Sequence, residues 1–388
     1  MCSSKSCNPS GKFDIARSKH LHDRVRRFIH ENTANATPTE SFDSIAVDIA
    51  KHQHASATGI ERLFHLRKAN IDSITHASQI PAVPTDVFKL RRVACHPPDL
   101  DQVVFKTSGT TIGARGTHAL RDVETYRAAA RAWAGAMLHP DTASMHWIVL
   151  APEYENNPGS SLGFMLADLS TATGGVATWA VRAVSAVRDG SLDIDLIACA
   201  IDKSRKDGVP AIVAGASFAF VYLLDELGGK VLPLPGGRAM QTGGFKGRSR
   251  TVDGEELRAD IASAFGFDVD RVVSEYGMTE LGSQAYDGGL CASLGMGGRR
   301  DVFSPPPWMR VVAVSSDSLE PVDDGQVGIA RVEDLTNVDS AVVVQTSDRI
   351  VLCDGGFRLL GRLDGAPPRG CSIGIDEILQ SGTGKLGG

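Results

Sequence analysis

Apolar residues recur at helical spacing through SFDSIAVDIAKHQ and IERLFHLRKANI, so residues 1–80 are expected to form a helical segment. Pro81 and Pro84 break that pattern. From Val103 the texture changes to short apolar runs separated by Gly-rich turns and amphipathic stretches. Strands are expected at Val103–Lys106, His146–Ala151, Ala211–Ala214 and Arg271–Ser274, with helices between them. Such alternation predicts an α/β unit over residues 81–298, a mostly parallel sheet covered by helices. After Gly298 the runs MRVVAVSS, QVGIARVED, AVVVQTSDRIVL and GFRLLGRL are rich in β-branched residues. They predict a smaller, mostly antiparallel β subdomain over 299–366, followed by a short tail, 367–388. The run VPAIVAGASFAFVYLL, 16 residues from Val209 to Leu224, is short for a membrane span. It divides instead into a buried strand (Ala211–Val213), a turn at Gly215 and a helix capped by Ser217.

Composition narrows the function. With 42% apolar and 22% charged residues, the chain reads as an ordinary globular enzyme. A net charge of −6 argues against a nucleic-acid-binding surface. Seven cysteines, odd in number and with no CxxC pair, suggest neither a disulfide framework nor a zinc site. The opening MCSSKSCNPSGKFD has no apolar core for a signal peptide, so a cytoplasmic location is expected.

Two phrases carry chemistry. FKTSGTTIGARG interleaves the hydroxyls of Thr107, Ser108, Thr110 and Thr111 with Gly109, Gly113 and Gly116, directly after a strand. Small residues let the backbone approach a polyphosphate, while hydroxyls and amide N–H groups donate to its oxygens. A mobile polar loop is the bland alternative. SEYGMTELGSQAYD offers Tyr276 to stack on a base, Thr279 to bond a phosphate and Glu280 to hold Mg²⁺. A helix-capping loop with Glu280 at the surface is its plain counterpart.

Taken together, TSGTT and, roughly 170 residues later, YGMTE resemble the paired signature of the adenylate-forming superfamily. MQTGGFKGRSR, with Gly243 and Gly244, stands where that superfamily has its adenine-side glycine turn. TSD (Thr346–Asp348) looks like its ribose-binding TGD, and GRLD (Gly361–Asp364) like its hinge motif, whose arginine, here Arg362, also meets the ribose. Within the superfamily, IPAVPTDVFK, NNPGSSLGFM, TGGFKGRSR, EYGMTELGSQ and RGCSI resemble the LuxE-type acyl-protein synthetases. The resemblance implies the large N-terminal domain of an adenylate-forming enzyme without the mobile C-terminal cap, and ATP and Mg²⁺ as cofactors. It also implies a carboxylic, fatty acid substrate and an acyl reductase as partner.

That family's acylated cysteine lies in a phrase that Arg369–Gly370–Cys371–Ser372 matches, and 17 residues follow Cys371. Taken alone, Cys371 reads first as a small buried residue packing a hinge strand, with a nucleophile whose thiolate Arg369 and Arg362 favour as the alternative. Lys385, in SGTGKLGG, faintly resembles the cap's lysine motif but lies too near the hinge. GSSLG (Gly159–Gly163) fits a hydrolase nucleophile elbow at Ser161. All eleven histidines, however, stand at or before His146, so the required later histidine is missing. The expected activity is formation of an acyl-adenylate through Thr107–Thr111, Tyr276, Gly277, Thr279, Glu280, Asp348 and Arg362, then transfer to Cys371. The alternatives are a cap-less ligase passing acyl groups to CoA or a carrier, and an inactive nucleotide-binding scaffold.

Overall fold

The computed structural model describes residues 13–34, 36–107, 115–181, 192–243 and 252–363. Three helices open it: α1 (Ile15–Thr33), α2 (Phe42–Ser56) and α3 (Thr58–Leu66). Side chains of Asp14 and Ser41 cap the first two by accepting from backbone N–H groups of the first turn. A two-residue strand β1 (Val83–Pro84) and a single helical turn α4 (Val87–Leu90) follow. Next come β2 (Val103–Lys106) and β3 (Thr117–Leu120), then α5 (Val123–Met137).

The α/β core runs β4 (His146–Val149), α6 (Ser161–Ala172), β5 (Ala177–Trp179), α7 (Ile194–Asp207), β6 (Ala211–Ala216), α8 (Ser217–Leu227), β7 (Arg238–Thr242), α9 (Gly254–Phe265) and β8 (Val272–Tyr276). The remainder is mostly strand: β9 (Ala285–Asp287), α10 (Gly289–Ser293), β10 (Phe303–Ser304), β11 (Met309–Val314), β12 (Val327–Asp334), β13 (Val343–Cys353) and β14 (Gly356–Arg362).

Strands β5, β4, β6, β7 and β8 pair in parallel in that order. Strands β4, β6 and β7 are buried along their whole length, whereas β5 at the edge is partly exposed, and this burial explains the unbroken apolar runs of β4 and β6. At β8 the sheet changes sense. The path β8-β9-β10-β14-β13-β12-β11 is antiparallel throughout, and β1 adds in parallel to β13, giving one twelve-stranded sheet. The four β-branched runs predicted after Gly298 are all strands, hydrogen-bonded into the same sheet as the parallel core.

Three local expectations change. Val103–Lys106 is a strand but pairs only with β3, as a separate antiparallel ribbon. Gly215 lies within β6 rather than at a turn, because a Cβ there would come 2.8 Å from the Leu150 Cβ of the neighbouring chain segment. Ser217 does not cap α8; its hydroxyl donates across to the carbonyl of Gly243 at 2.9 Å. Strand β7 escapes a reading by hydropathy because it begins with a fully buried Arg238. Its two terminal nitrogens donate to Asp141, the shorter bond at 2.7 Å, and to the Leu138 carbonyl at 2.9 Å.

Candidate active site

In open α/β sheets ligands bind beyond the carboxyl ends of the parallel strands, here after Ala216, Thr242 and Tyr276. At the end of β8 the Glu275 carboxylate accepts from the Thr242 hydroxyl of β7, tying the two strand ends together. Gly277 follows, where a Cβ would run into Glu275 Oε1, so a side chain there would push that carboxylate out of its place beside Thr242. Tyr276 points the other way. Its ring meets the edges of Phe303 and Phe357, with centroids 6.0 and 5.1 Å away. Its hydroxyl donates to Asp348 Oδ2 at 2.8 Å, across 72 residues of sequence.

Asp348 is buried and stands opposite Arg362 in the β13–β14 register, at an irregularity of the ladder. Arg362 Nε lies 3.2 Å from Asp348 Oδ1, so tyrosine and arginine hold the two carboxylate oxygens from opposite sides. The Asp348 N–H donates to Thr346 Oγ1 at 3.0 Å, a local bond within β13 next to that irregularity. Tyr276, Asp348 and Arg362, predicted separately from the sequence, are thus one contact cluster.

Thr279 and Glu280 are gripped by their backbone. The Thr279 carbonyl accepts from His118 Nδ1 at 2.7 Å, and the Glu280 carbonyl from Asn337 Nδ2 at 2.9 Å. Just beyond, Gly282 and Ser283 donate their N–H groups to Asp334 Oδ2 at 3.1 and 2.9 Å. Burial raises the Asp334 pKa, against the bonds from Thr336 and Ser283. Both side chains of the pair are buried, and the Thr279 hydroxyl has no hydrogen-bond partner among the described residues. A buried hydroxyl left in this state costs roughly 1–3 kcal/mol, which a bound acceptor such as a phosphate oxygen would relieve.

His118 connects this segment to the hydroxyl-rich loop. It stands on β3 opposite Phe105 of β2. Its Nε2 lies 2.9 Å from Ser340 Oγ. A carbonyl only accepts, so Nδ1 carries the proton and Nε2 accepts from the serine. Burial pushes the ring pKa down to about 4, so His118 is neutral near pH 7. Thr107 closes the neck of the loop: its N–H donates to the Gly116 carbonyl and its Oγ1 accepts from the Gly116 N–H, both at 2.8 Å. Ser108, Gly109, Thr110 and Thr111 lie outside the described residues, as do Gly244 and Cys371. Gly243 adopts a left-handed φ of 73° immediately after β7.

No acid–base constellation was legible in the N-terminal helices, yet a buried one exists. Asp339 accepts from Ser18 Oγ at 2.6 Å and Arg121 Nε at 2.9 Å, and meets His52 Nε2 at 3.0 Å and His22 Nε2 at 3.2 Å. Burial alone would raise its pKa. The bonds from His22, His52 and Ser18 outweigh that and hold the carboxyl well below the usual range. No local signal marks this cluster, because its members lie about 300 residues apart in sequence. Among the described residues no group of His, Cys, Asp or Glu is arranged to hold a metal ion by itself. No described helix is long and apolar enough to cross a membrane.

A family model described as acyl-protein synthetase, LuxE, matches residues 46–380. Among solved structures, an open conformation of 2-hydroxyisobutyryl-CoA ligase with 2-HIB-AMP and CoA superposes with a TM-score of 0.60 at 12% identity, covering 94% of this chain and 81% of that one. The same ligase in its thioesterification state gives 0.60 at 12% identity, covering 94% and 74%. Likeness at that identity speaks to fold, and the fold is that of the adenylate-forming ligases. No curated protein matches the sequence.

Proposed function

The chain belongs to the LuxE acyl-protein synthetase family, and on that premise we propose that it activates a carboxylic acid, of the fatty class, with ATP and then carries the acyl group on Cys371 as a thioester for an acyl reductase. In the first step a carboxylate oxygen forms a bond to the α-phosphorus of ATP. The bond to the β-phosphate bridging oxygen breaks, and pyrophosphate leaves. In the second step the Cys371 thiolate attacks the carbonyl carbon of the mixed anhydride, AMP leaves, and the thiol's proton goes to solvent.

The observation that carries the reading is the convergence of Tyr276, Asp348 and Arg362, with a Thr279 hydroxyl shortly after Tyr276 in the chain that is buried and has no partner among the described residues. A carboxylate has about four acceptor sites, and Asp348, bonded to Tyr276 and Arg362, is the acceptor for the ribose hydroxyls in this reading. Arg362 pairs with that carboxylate at 3.2 Å and brings a positive charge to the same place. Thr279 donates to a phosphate oxygen. Thr107, Ser108, Gly109, Thr110 and Thr111 cradle the polyphosphate, and Gly243, Gly244 and Gly277 give the close backbone approach that adenine and phosphate need. The carboxylate of Glu280 is the hard oxygen donor that Mg²⁺ prefers. The metal would supply neutralisation of the charge that builds on the phosphates.

The deciding experiment separates the two steps. Wild-type protein should exchange labelled pyrophosphate into ATP only with an acid and Mg²⁺ present, and should label itself with an acyl group that neutral hydroxylamine releases. Cys371→Ser should keep the exchange and lose the label, since serine at neutral pH offers almost no oxyanion. Label persisting in Cys371→Ser moves the acceptor elsewhere. Adenylate formed without self-labelling, then delivered to added CoA, replaces the cysteine step with direct ligation.

A further inference from the structure

The connection between β12 and β13, residues 335–342, is buried along its whole length. Chain connections usually run over the surface, because a buried one must find partners for its backbone N–H and C=O groups. Here one side chain of α2 supplies several of them. Gln53, 2% exposed, donates from Nε2 to the carbonyls of Asn337 at 2.7 Å and Val338 at 3.0 Å, and accepts from the Val342 N–H at 3.2 Å. Asp339, between those anchor points, is held by Ser18 of α1 and His52 of α2. The N-terminal helices thus fix the outer side of this loop.

The inner side of the same loop grips the catalytic segment. Asn337 Nδ2 donates to the Glu280 carbonyl at 2.9 Å and to the Ala341 carbonyl at 3.0 Å. Turning this amide over would set its oxygen against two carbonyl oxygens, so the two bonds fix its orientation. Ser340 donates to His118 Nε2, and His118 Nδ1–H in turn reaches the Thr279 carbonyl. The fit is close, since a Cβ on Gly282 would run into Thr336 Oγ1. Asn337 is therefore held by α2 through its backbone and holds Glu280 through its side chain.

Resting on the adenylation reading above, we propose that Gln53 and Asn337 are positioning residues for that reaction: through them α2 sets the backbone of Thr279 and Glu280, and hence the aim of their side chains. The test measures pyrophosphate exchange well below the melting midpoint. Gln53→Met removes the amide and keeps the length of the side chain, and Asn337→Ala removes the donor to Glu280. Each should lower kcat by about tenfold, the scale of a small misplacement of a catalytic group, with the KM for ATP within about twofold of wild type. The KM is spared because the ribose cluster lies on β8, β13 and β14 rather than on the loop. The double variant should lose little more than the more impaired single one, as two members of one relay do. Hydrogen–deuterium exchange needs no activity. It should quicken in both single variants at the Gly282 and Ser283 amides, which bond to Asp334 at the end of β12, and stay unchanged in β4 and β6. If one variant does not fold, the other decides by the same kcat split and amide exchange. Variants that melt lower but keep kcat and the protection of those amides overturn the proposal and leave Gln53 and Asn337 as packing residues. Losses that multiply in the double variant overturn the relay as well. Wild type that exchanges with no acid removes the adenylation reading and this role with it.

Discussion

At the scale of single residues, Thr279 separates stability from function most sharply. Its hydroxyl is buried and makes no hydrogen bond among the described residues, so the folded chain gains nothing from it. Thr279→Val keeps the shape and removes the desolvated oxygen. The variant is expected to melt at the same temperature or higher, while pyrophosphate exchange falls by roughly tenfold to a hundredfold, the loss of one oriented phosphate donor. A lower melting point with unchanged exchange would make Thr279 a packing residue. Glu280→Gln is expected to lower exchange by about tenfold or more and to raise the Mg²⁺ concentration required, which a magnesium titration would read. The sequence singles out Thr279 and Glu280 because YGMTE places an aromatic ring, a hydroxyl and a carboxylate within five residues. It does not single out His118 or Asp339. Each has an ordinary local context and meets its partners more than a hundred residues away.

Elements sort by whether local pattern or distant pairing decides them. The parallel strands β4, β6 and β8 announce themselves by apolar runs, and the antiparallel strands after Gly298 by β-branched residues. Strand β2 has the same apolar look, but nothing in four residues says whether it joins the main sheet or forms its own ribbon with β3. Hydroxyls next to helices mislead in a similar way. Ser217 looks like a cap but bonds across to Gly243, whereas Ser160, inside the hydrolase-like GSSLG, is the true cap of α6. Its Oγ accepts from the Gly163 N–H at 3.0 Å. Ser160→Ala is therefore expected to cost about 1 kcal/mol, and Ser160→Gly only a few tenths. Urea midpoints for the two variants would test this ordering. Equal losses would mean that the cap bond contributes little to α6.

Across the whole molecule, buried titrating groups bind distant segments into one body, and they make stability depend on pH in two windows. Asp339 joins α1, α2 and Arg121 to the loop after β12. Its folded pKa lies below the unfolded one, so its contribution is complete above the unfolded value of about 4 and disappears as pH falls further. His118 acts at higher pH. Burial holds it at about 4 in the folded state, against the ordinary 6.5 when unfolded. As pH falls from 6.5 towards 4, the unfolded chain takes up a proton at residue 118 that the folded protein refuses, so the unfolding free energy decreases. The shift corresponds to on the order of 3 kcal/mol over that window. His96 and His139 are also held down by burial and push the same way, so the wild-type curve alone does not isolate one residue. His118→Asn does: its side-chain N–H stands near Nδ1 and still donates to the Thr279 carbonyl, but it cannot be protonated. The difference between wild type and His118→Asn in urea unfolding free energy should therefore change with pH between 6.5 and 4 and be constant above 7. Exchange activity at pH 7.5 should survive within several-fold in His118→Asn and collapse in His118→Phe, which has no donor for that carbonyl. Parallel pH curves for wild type and His118→Asn would show that His118 titrates normally in the folded protein. Equal activity in the two variants would show that the bond to Thr279 does not position the catalytic segment.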